Sequence, residues 1–184
     1  MGRLFDLSGQ VAVITGSSRG IGRAIAHRLA EHGAGVVVSS RKEDACAAAV
    51  AEINADLGRE ANISSKDELQ RLADFALSRF GKVDILVCNA ASNPYFGPMS
   101  GIADEQFQKI LMNNIVSNHW LCQMLGPQMV ERGAGSIIII SSIGGLRGSP
   151  VIGAYNISQA ADMQLARNLA VEWGPSGVRV NCIC

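Results

Sequence analysis

The chain has 184 residues, 48% of them hydrophobic, and its 16 basic side chains cancel its 16 acidic ones. That length and apolar content suffice for one buried core and a single domain over residues 1–184, while zero formal charge carries none of the electrostatic footprint of a nucleic-acid or anionic-membrane binder. No apolar run reaches the roughly 18 residues of a membrane span and Met1–Gly9 lacks the apolar stretch of a secretory signal, so a soluble, cytoplasmic protein acting on a small molecule is expected.

In chain order, Gln10–Thr15 is a β-branched apolar run that stops at glycine, the pattern of a strand buried on both faces in a parallel sheet. Gly20-Ile21-Gly22 follows, and Ala24, Ile25, Leu29 and Ala30 then recur at helical spacing. Gly35–Ser39 is a second buried strand and Lys42–Ala55 an alanine-rich helix. The third strand should lie at Asp56–Ala61, but that segment holds only two apolar side chains, so the element is expected to be short or missing. Ser65–Phe80 reads as an amphipathic helix whose Ser65 and Glu68 form a capping box.

Val83–Cys88 is a strand that runs into Asn89-Ala90-Ala91, and Asn93-Pro94 marks a loop. Asp104–Arg132 is a long helical stretch in which Gly126-Pro127 predicts a kink, because proline clashes with the preceding turn. Gly135–Ser141 contains four isoleucines and reads as a strand, Tyr155–Trp173 as a helix and Val178–Ile183 as the start of one more strand. This βαβα alternation with buried strands predicts an α/β fold, a doubly wound parallel sheet of the Rossmann type. A parallel strand at Val178–Ile183 would ordinarily be followed by a covering helix, so the C-terminal part reads as cut short.

The five cysteines (Cys46, Cys88, Cys122, Cys182 and Cys184) show no metal-ligand spacing and mostly sit in apolar runs, the pattern of buried free thiols. Cys182 and Cys184 alternate with Ile183 and would share a face of a strand. His27, His32 and His119 are scattered and match no metal site, and Trp120 and Trp173 read as helix-packing residues.

Two stretches carry chemistry. Thr15-Gly16-Ser17-Ser18-Arg19-Gly20-Ile21-Gly22 joins a strand to a helix, where glycines permit a tight turn and close approach of a pyrophosphate to free helix N–H groups. The tip of the second strand reads Ser39-Ser40-Arg41 and has no carboxylate to hold a ribose 2′-hydroxyl. Arg41 with Arg19 can instead clamp a 2′-phosphate, so NADP(H) is preferred, with NAD(H) the alternative. The other stretch is Ser142 and, thirteen residues on, Tyr155, with Gln159 one helical turn beyond. Serine and phenol form an acid/base pair for a carbonyl or alcohol, yet a phenol of ordinary pKa, about 10, needs a nearby cation to work near neutral pH.

With these motifs spread from residue 10 to 183, the chain resembles the short-chain dehydrogenase/reductase family. Thr15-Gly16 with Gly20-Ile21-Gly22 resembles the family's glycine motif, Asn89-Ala90-Ala91 its Asn-Ala-Gly motif, Asn114 its helix asparagine, and Ser142 with Tyr155 its catalytic pair. The Asn89–Pro94 and Ser141-Ser142-Ile143 stretches look like the NADP-dependent carbonyl (retinal-type) reductase branch. The resemblance implies that Tyr155 is the general acid/base, that Ser142 hydrogen-bonds the substrate carbonyl, and that Asn114 holds a water in the proton relay. It also implies cofactor contacts from Gly16, Ser18, Arg19, Gly20, Ile21, Gly22, Ser40, Arg41, Asn62, Ile63, Asn89, Ala90, Tyr155 and Gln159, and a homo-oligomer joined through its two long helices. No metal is implied.

The chain departs from this pattern in three ways. Gln159 stands where the family has a lysine that bonds the nicotinamide ribose and lowers the tyrosine pKa; glutamine keeps a hydrogen bond but not the charge. The third strand is short, which in the order 3-2-1-4-5-6 concerns only the sheet edge. The family also continues past Asn181-Cys182-Ile183 into a substrate-covering segment, so the pocket is expected to lack a lid. Two functions follow: reduction of a ketone or aldehyde, or catalytically silent dinucleotide binding.

Overall fold

The computed structural model describes residues 5–53 and 55–184, so the readings of Met1–Gly9 and of the end of the second helix fall partly outside them. Six parallel strands form one sheet in the order β3-β2-β1-β4-β5-β6, the doubly wound arrangement expected. They are β1 (Val11–Thr15), β2 (Gly35–Ser40), β3 (Leu57–Glu60), β4 (Ile85–Cys88), β5 (Gly135–Ile140) and β6 (Val178–Ile183). The helices are α1 (Gly20–Glu31), α2 (Glu43–Ile53), α3 (Lys66–Phe80), α4 (Asp104–Leu111), α5 (Ser117–Arg132) and α6 (Gly153–Trp173). Among the described residues no helix is long and apolar enough to cross a membrane.

The inner strands β1, β2, β4 and β5 are largely apolar on both faces because both faces are covered. Ala12, Ile14, Val36 and Val38 pack with Ala26 of α1 and Ala49 and Ile53 of α2. Their neighbours Val13, Val37, Leu86 and Ile137 point the other way, against Leu72 of α3, Leu121 and Leu125 of α5, and Ala166 of α6. Period-two alternation therefore feeds two cores, and these inner strands need no polar face, whereas the edge strand β6 exposes Arg179 and Asn181. At the foot of the sheet, Asp84 accepts hydrogen bonds from the Val11 N–H at 2.8 Å and from Arg132 at 2.6 Å, pinning β1 against β4.

The third strand exists but is only four residues long. Its polar sequence suffices because an edge strand is held by backbone pairing to β2, with Leu57 beside Val37 and Glu60 beside Ser40. The Asp56 carboxylate secures its start by accepting the Val36 N–H at 2.8 Å. Gly58 lets α2 lie close, since a Cβ there would meet Cys46 and Val50 at 3.0–3.1 Å.

The long helical stretch also departs from α geometry at a place the sequence did not point to. Helix α5 runs through Pro127 to Arg132, while Met112–Val116 forms a single wide π turn between α4 and α5. The widened turn carries Asn113 and Asn114, both buried. Helix α3 starts as expected: Ser65 caps it by accepting the Glu68 N–H at 3.3 Å, while Glu68 reaches the Asn62 N–H at 2.6 Å. Trp173 packs on Gly126, and Lys66 sits 5.9 Å from the centre of the Trp120 ring. Cys46, Cys88 and Cys122 are buried free thiols as expected, but Cys184 lies past the end of β6 and is exposed, because β6 ends at Ile183.

Candidate functional site

At the carboxyl end of β1 the chain turns through Gly16 and enters α1 at Gly20, both glycines at positive φ (63° and 57°). Only glycine takes that backbone without strain. The N-cap residue Arg19 is extended and gives α1 no side-chain cap, so the first-turn N–H groups of this twelve-residue helix stay free beside open space at Gly20.

The turn is held from below by Asn89, at the end of β4, whose amide donates to the Thr15 carbonyl at 2.9 Å and the Gly16 carbonyl at 3.2 Å. The Thr15 hydroxyl in turn accepts the backbone N–H groups of Asn89 and Ala90 at 3.0 and 3.1 Å. A Cβ at Gly22 would lie 2.5 Å from both the Asn89 amide nitrogen and the Gly16 oxygen, so the loop closes only around glycine. A glycine turn of this kind between a strand and a helix N-terminus is the arrangement that can receive a pyrophosphate. Asn89 belongs to the frame; its amide nitrogen is spent on the loop. The buried Ser17 hydroxyl donates to the Ile14 carbonyl at 2.6 Å and accepts the Ser39 N–H at 2.9 Å, tying the loop to the tip of β2.

Beyond β2, Ser40 caps its own turn through Lys42 and Arg41 is exposed. Asn62 follows β3 and folds its side-chain oxygen onto the Ser64 N–H at 3.1 Å, while Ile63 packs into the core under α3. Ser18, Arg19 and Ile21 line the open side of the glycine turn, with Arg19 and Ile21 exposed.

The second half of the site gathers around α6. Asn114 accepts the Ser92 N–H at 2.8 Å and donates to the Ser92 carbonyl at 2.9 Å and the Ser158 hydroxyl at 3.0 Å. Its side chain is therefore a strap joining the loop after β4, the π turn and α6. Asn113 beside it accepts from Ser64 at 2.6 Å and donates to Ser92 at 2.8 Å. Asn118, one turn on, donates to the Asn114 carbonyl at 2.7 Å and to Asp162 at 2.9 Å. Gln159 is 1% exposed; its amide nitrogen donates to the other Asp162 oxygen at 3.2 Å, and its own oxygen is buried without a partner. Burial pushes the Asp162 carboxyl up to about 7, against a lowering by the Asn118 amide.

Ser142 follows β5, where its Oγ accepts the Gly144 N–H at 3.0 Å and leaves the hydroxyl proton free to donate elsewhere. Tyr155 sits half-buried in the first turn of α6, and among the described residues its phenol has no hydrogen-bond partner. The expected one-turn spacing to Gln159 holds, since both lie within α6. The sequence reading missed Ser92, Asn118, Ser158 and above all Asp162. Asp162 had a detectable signal: an acid at a position that shares the inward face of α6 with Met163, Ala166 and Leu169. Cys88, also buried nearby, is held well above the ordinary thiol range by the Cys122 thiol, by burial and by Asp162, which keeps it an uncharged core side chain.

Residues 10–184 match the family profile described as short chain dehydrogenase. The mouse protein Dehydrogenase/reductase SDR family member 4 is 40% identical over 181 residues, covering 96% of this chain and 65% of its own length. The human protein of the same name is 39% identical over 187 residues, covering all of this chain and 67% of its own. The chain thus spans about two thirds of the length of these relatives, and slightly less in the mouse case. Among solved structures, a 7α-hydroxysteroid dehydrogenase complexed with NADH and 7-oxo glycochenodeoxycholic acid superposes with a TM-score of 0.92 at 36% identity, covering 98% of this chain and 71% of that one. The crystal structure of gox2181 superposes with a TM-score of 0.93 at 30% identity, over 97% and 72% of the two chains.

Proposed function

The chain belongs to the short-chain dehydrogenase/reductase family, and from that premise we propose that it binds NADP(H) and interconverts a small ketone or aldehyde with its alcohol. The observation that carries this reading is the glycine turn locked by Asn89, in which any side chain at Gly22 would collide with the frame. When bound, the nicotinamide supplies the hydride in reduction or accepts it in oxidation.

The chain's own residues do the rest. In reduction, the free phenol of Tyr155 gives its proton to the substrate oxygen as the carbonyl carbon takes up hydride, and the phenolate then regains a proton from solvent. The Ser142 hydroxyl, whose Oγ is fixed by the Gly144 N–H, donates to the same oxygen and orients it. Asn114 holds α6 and the loop after β4 at fixed separation through Ser92 and Ser158. Arg41 and the absence of a carboxylate at the tip of β2 support NADP(H) over NAD(H), although the related hydroxysteroid dehydrogenase was crystallised with NADH. We place the protein in the cytoplasm, in a homo-oligomer that pairs α5 and α6.

One observation favours a second reading, a silent dinucleotide binder. Gln159 offers no charge to the phenol, and its amide is tied to a buried carboxyl. NADPH oxidation against a panel of carbonyls, with and without Gln159→Lys, separates the two. Turnover by the unaltered chain supports the oxidoreductase; turnover only after the change supports the silent binder. Because Asp162 would capture the new ammonium in an ion pair, the double variant Gln159→Lys/Asp162→Leu is expected to turn over faster than Gln159→Lys alone.

A further inference from the structure

At the β3 edge of the sheet three arginines from separate elements face one cavity of about 330 Å³: Arg41 past the tip of β2, Arg59 in β3 and Arg71 in α3. The parallel register sets Arg59 beside Ser39 and Glu60 beside Ser40, so the strand pairing itself brings Arg59 near Arg41. Among the described residues none of the three forms an ion pair.

Arg59 is braced rather than free. Its guanidinium lies 5.6 Å from the centre of the Phe75 ring, and its Nε–H is buried with no acceptor. A buried guanidinium donor without an acceptor is costly, and an anionic oxygen is the group that relieves it best. Two carboxylates share the lining. Glu68 is turned to the backbone, its Oε2 on the Asn62 N–H at 2.6 Å, while Glu60 is exposed beside the cavity. Asn62 completes the wall.

We propose that this cavity is a three-arginine clamp for the 2′-phosphate of NADP(H), in which Arg59 and Arg71 act with Arg41 and Arg19 does not; this rests on the NADP(H) reading above. The position argues for that phosphate over a free one: the wall includes Arg41, just past β2, and Asn62, just past β3, at the same carboxyl edge of the sheet at which β1 delivers the glycine turn. Three planar forks suit a dianion that approaches from the β2 tip, with the Arg59 fork held in place by Phe75. Arg19, on the other side of the glycine turn, does not line the cavity and is left to the pyrophosphate.

Fluorescence titration of NADPH, NADH, adenosine 2′-monophosphate and inorganic phosphate into the whole chain tests this, using Arg59→Gln, Arg71→Gln, Arg41→Asp and Glu60→Gln. Each arginine variant is expected to weaken NADPH and adenosine 2′-monophosphate by about tenfold or more and to leave NADH within about twofold, because one charge-assisted contact is lost. Glu60→Gln should tighten NADPH, since it removes a like charge from the wall. Arg71 is exposed, so its variant keeps the fold, and ligand-free melting curves check Arg59→Gln. If Arg41→Asp weakens NADPH while Arg59→Gln and Arg71→Gln do not, the clamp is overturned and the NADP(H) reading stands. If inorganic phosphate binds as tightly as adenosine 2′-monophosphate, the cavity is a general anion site and the clamp is likewise overturned. If the unaltered chain binds NADH as tightly as NADPH, both readings fall together.

Discussion

The two halves of the site are built on opposite principles. Around the glycine turn, the buried hydroxyls of Thr15 and Ser17 and the amide nitrogen of Asn89 all have backbone partners, and no titratable group takes part. Around α6, an acid is buried at Asp162, Gln159 keeps an oxygen without a partner, and so does Asn156. The first half is a frame defined by backbone positions, which salt and pH will hardly touch. The second is a polar network whose energy depends on one proton, because a buried carboxylate lacking a cation costs far more than a buried carboxylic acid.

The largest effect expected from this contrast is on Asp162. Its folded pKa of about 7 lies above the ordinary carboxyl value of 3.8, so the folded state holds the proton more tightly than the unfolded chain. The associated stability is fully present below the unfolded value and is lost as pH rises from about 4 through 7. Asp162→Asn should remove that slope, leaving stability near pH 4 little changed and raising it near pH 8 by on the order of 3–4 kcal/mol. Urea denaturation at pH 4, 6 and 8 reads this directly; parallel profiles for the two proteins would break the contrast.

Next in size, Gly22→Ala attacks the frame. The added methyl must displace the Asn89 amide or the Gly16 carbonyl, an overpacking expected to lower stability by about 1–3 kcal/mol at every pH and to abolish dinucleotide binding. A variant that still bound cofactor with unchanged affinity would show the frame to be looser than its contacts imply. The smallest effect sharpens the comparison by leaving both halves alone. Ser65→Ala removes the cap of α3, lowering stability by about 1 kcal/mol, with cofactor affinity and the pH profile unchanged.

Much of the frame was legible in the chain. The runs Val11–Thr15 and Ile137–Ile140 are apolar without alternation, and that pattern is stable only with helices on both faces. The spacing Gly16, Gly20, Gly22 between a strand and a helix announced the turn, and Ser65 with Glu68 announced the start of α3. Strand β3 was harder to read because its side chains contribute little to a pairing made by backbone groups at an edge. The π turn at Met112–Val116 had no signal in the chain, because it is held by the hydrogen bonds that Asn113 and Asn114 make to residues far away in sequence.

By itself, then, the sequence determined the layering of this protein, the order of its elements and the glycine turn at its centre, because periodicity and glycine geometry act over a few neighbouring residues. Only the tertiary structure decided that Asp162 meets Asn118 across 44 positions and fastens Gln159. It likewise decided that Arg41, Arg59 and Arg71 face one cavity. Those encounters depend on strand register and helix packing between distant segments, and the charge state of a buried group depends on what surrounds it in space.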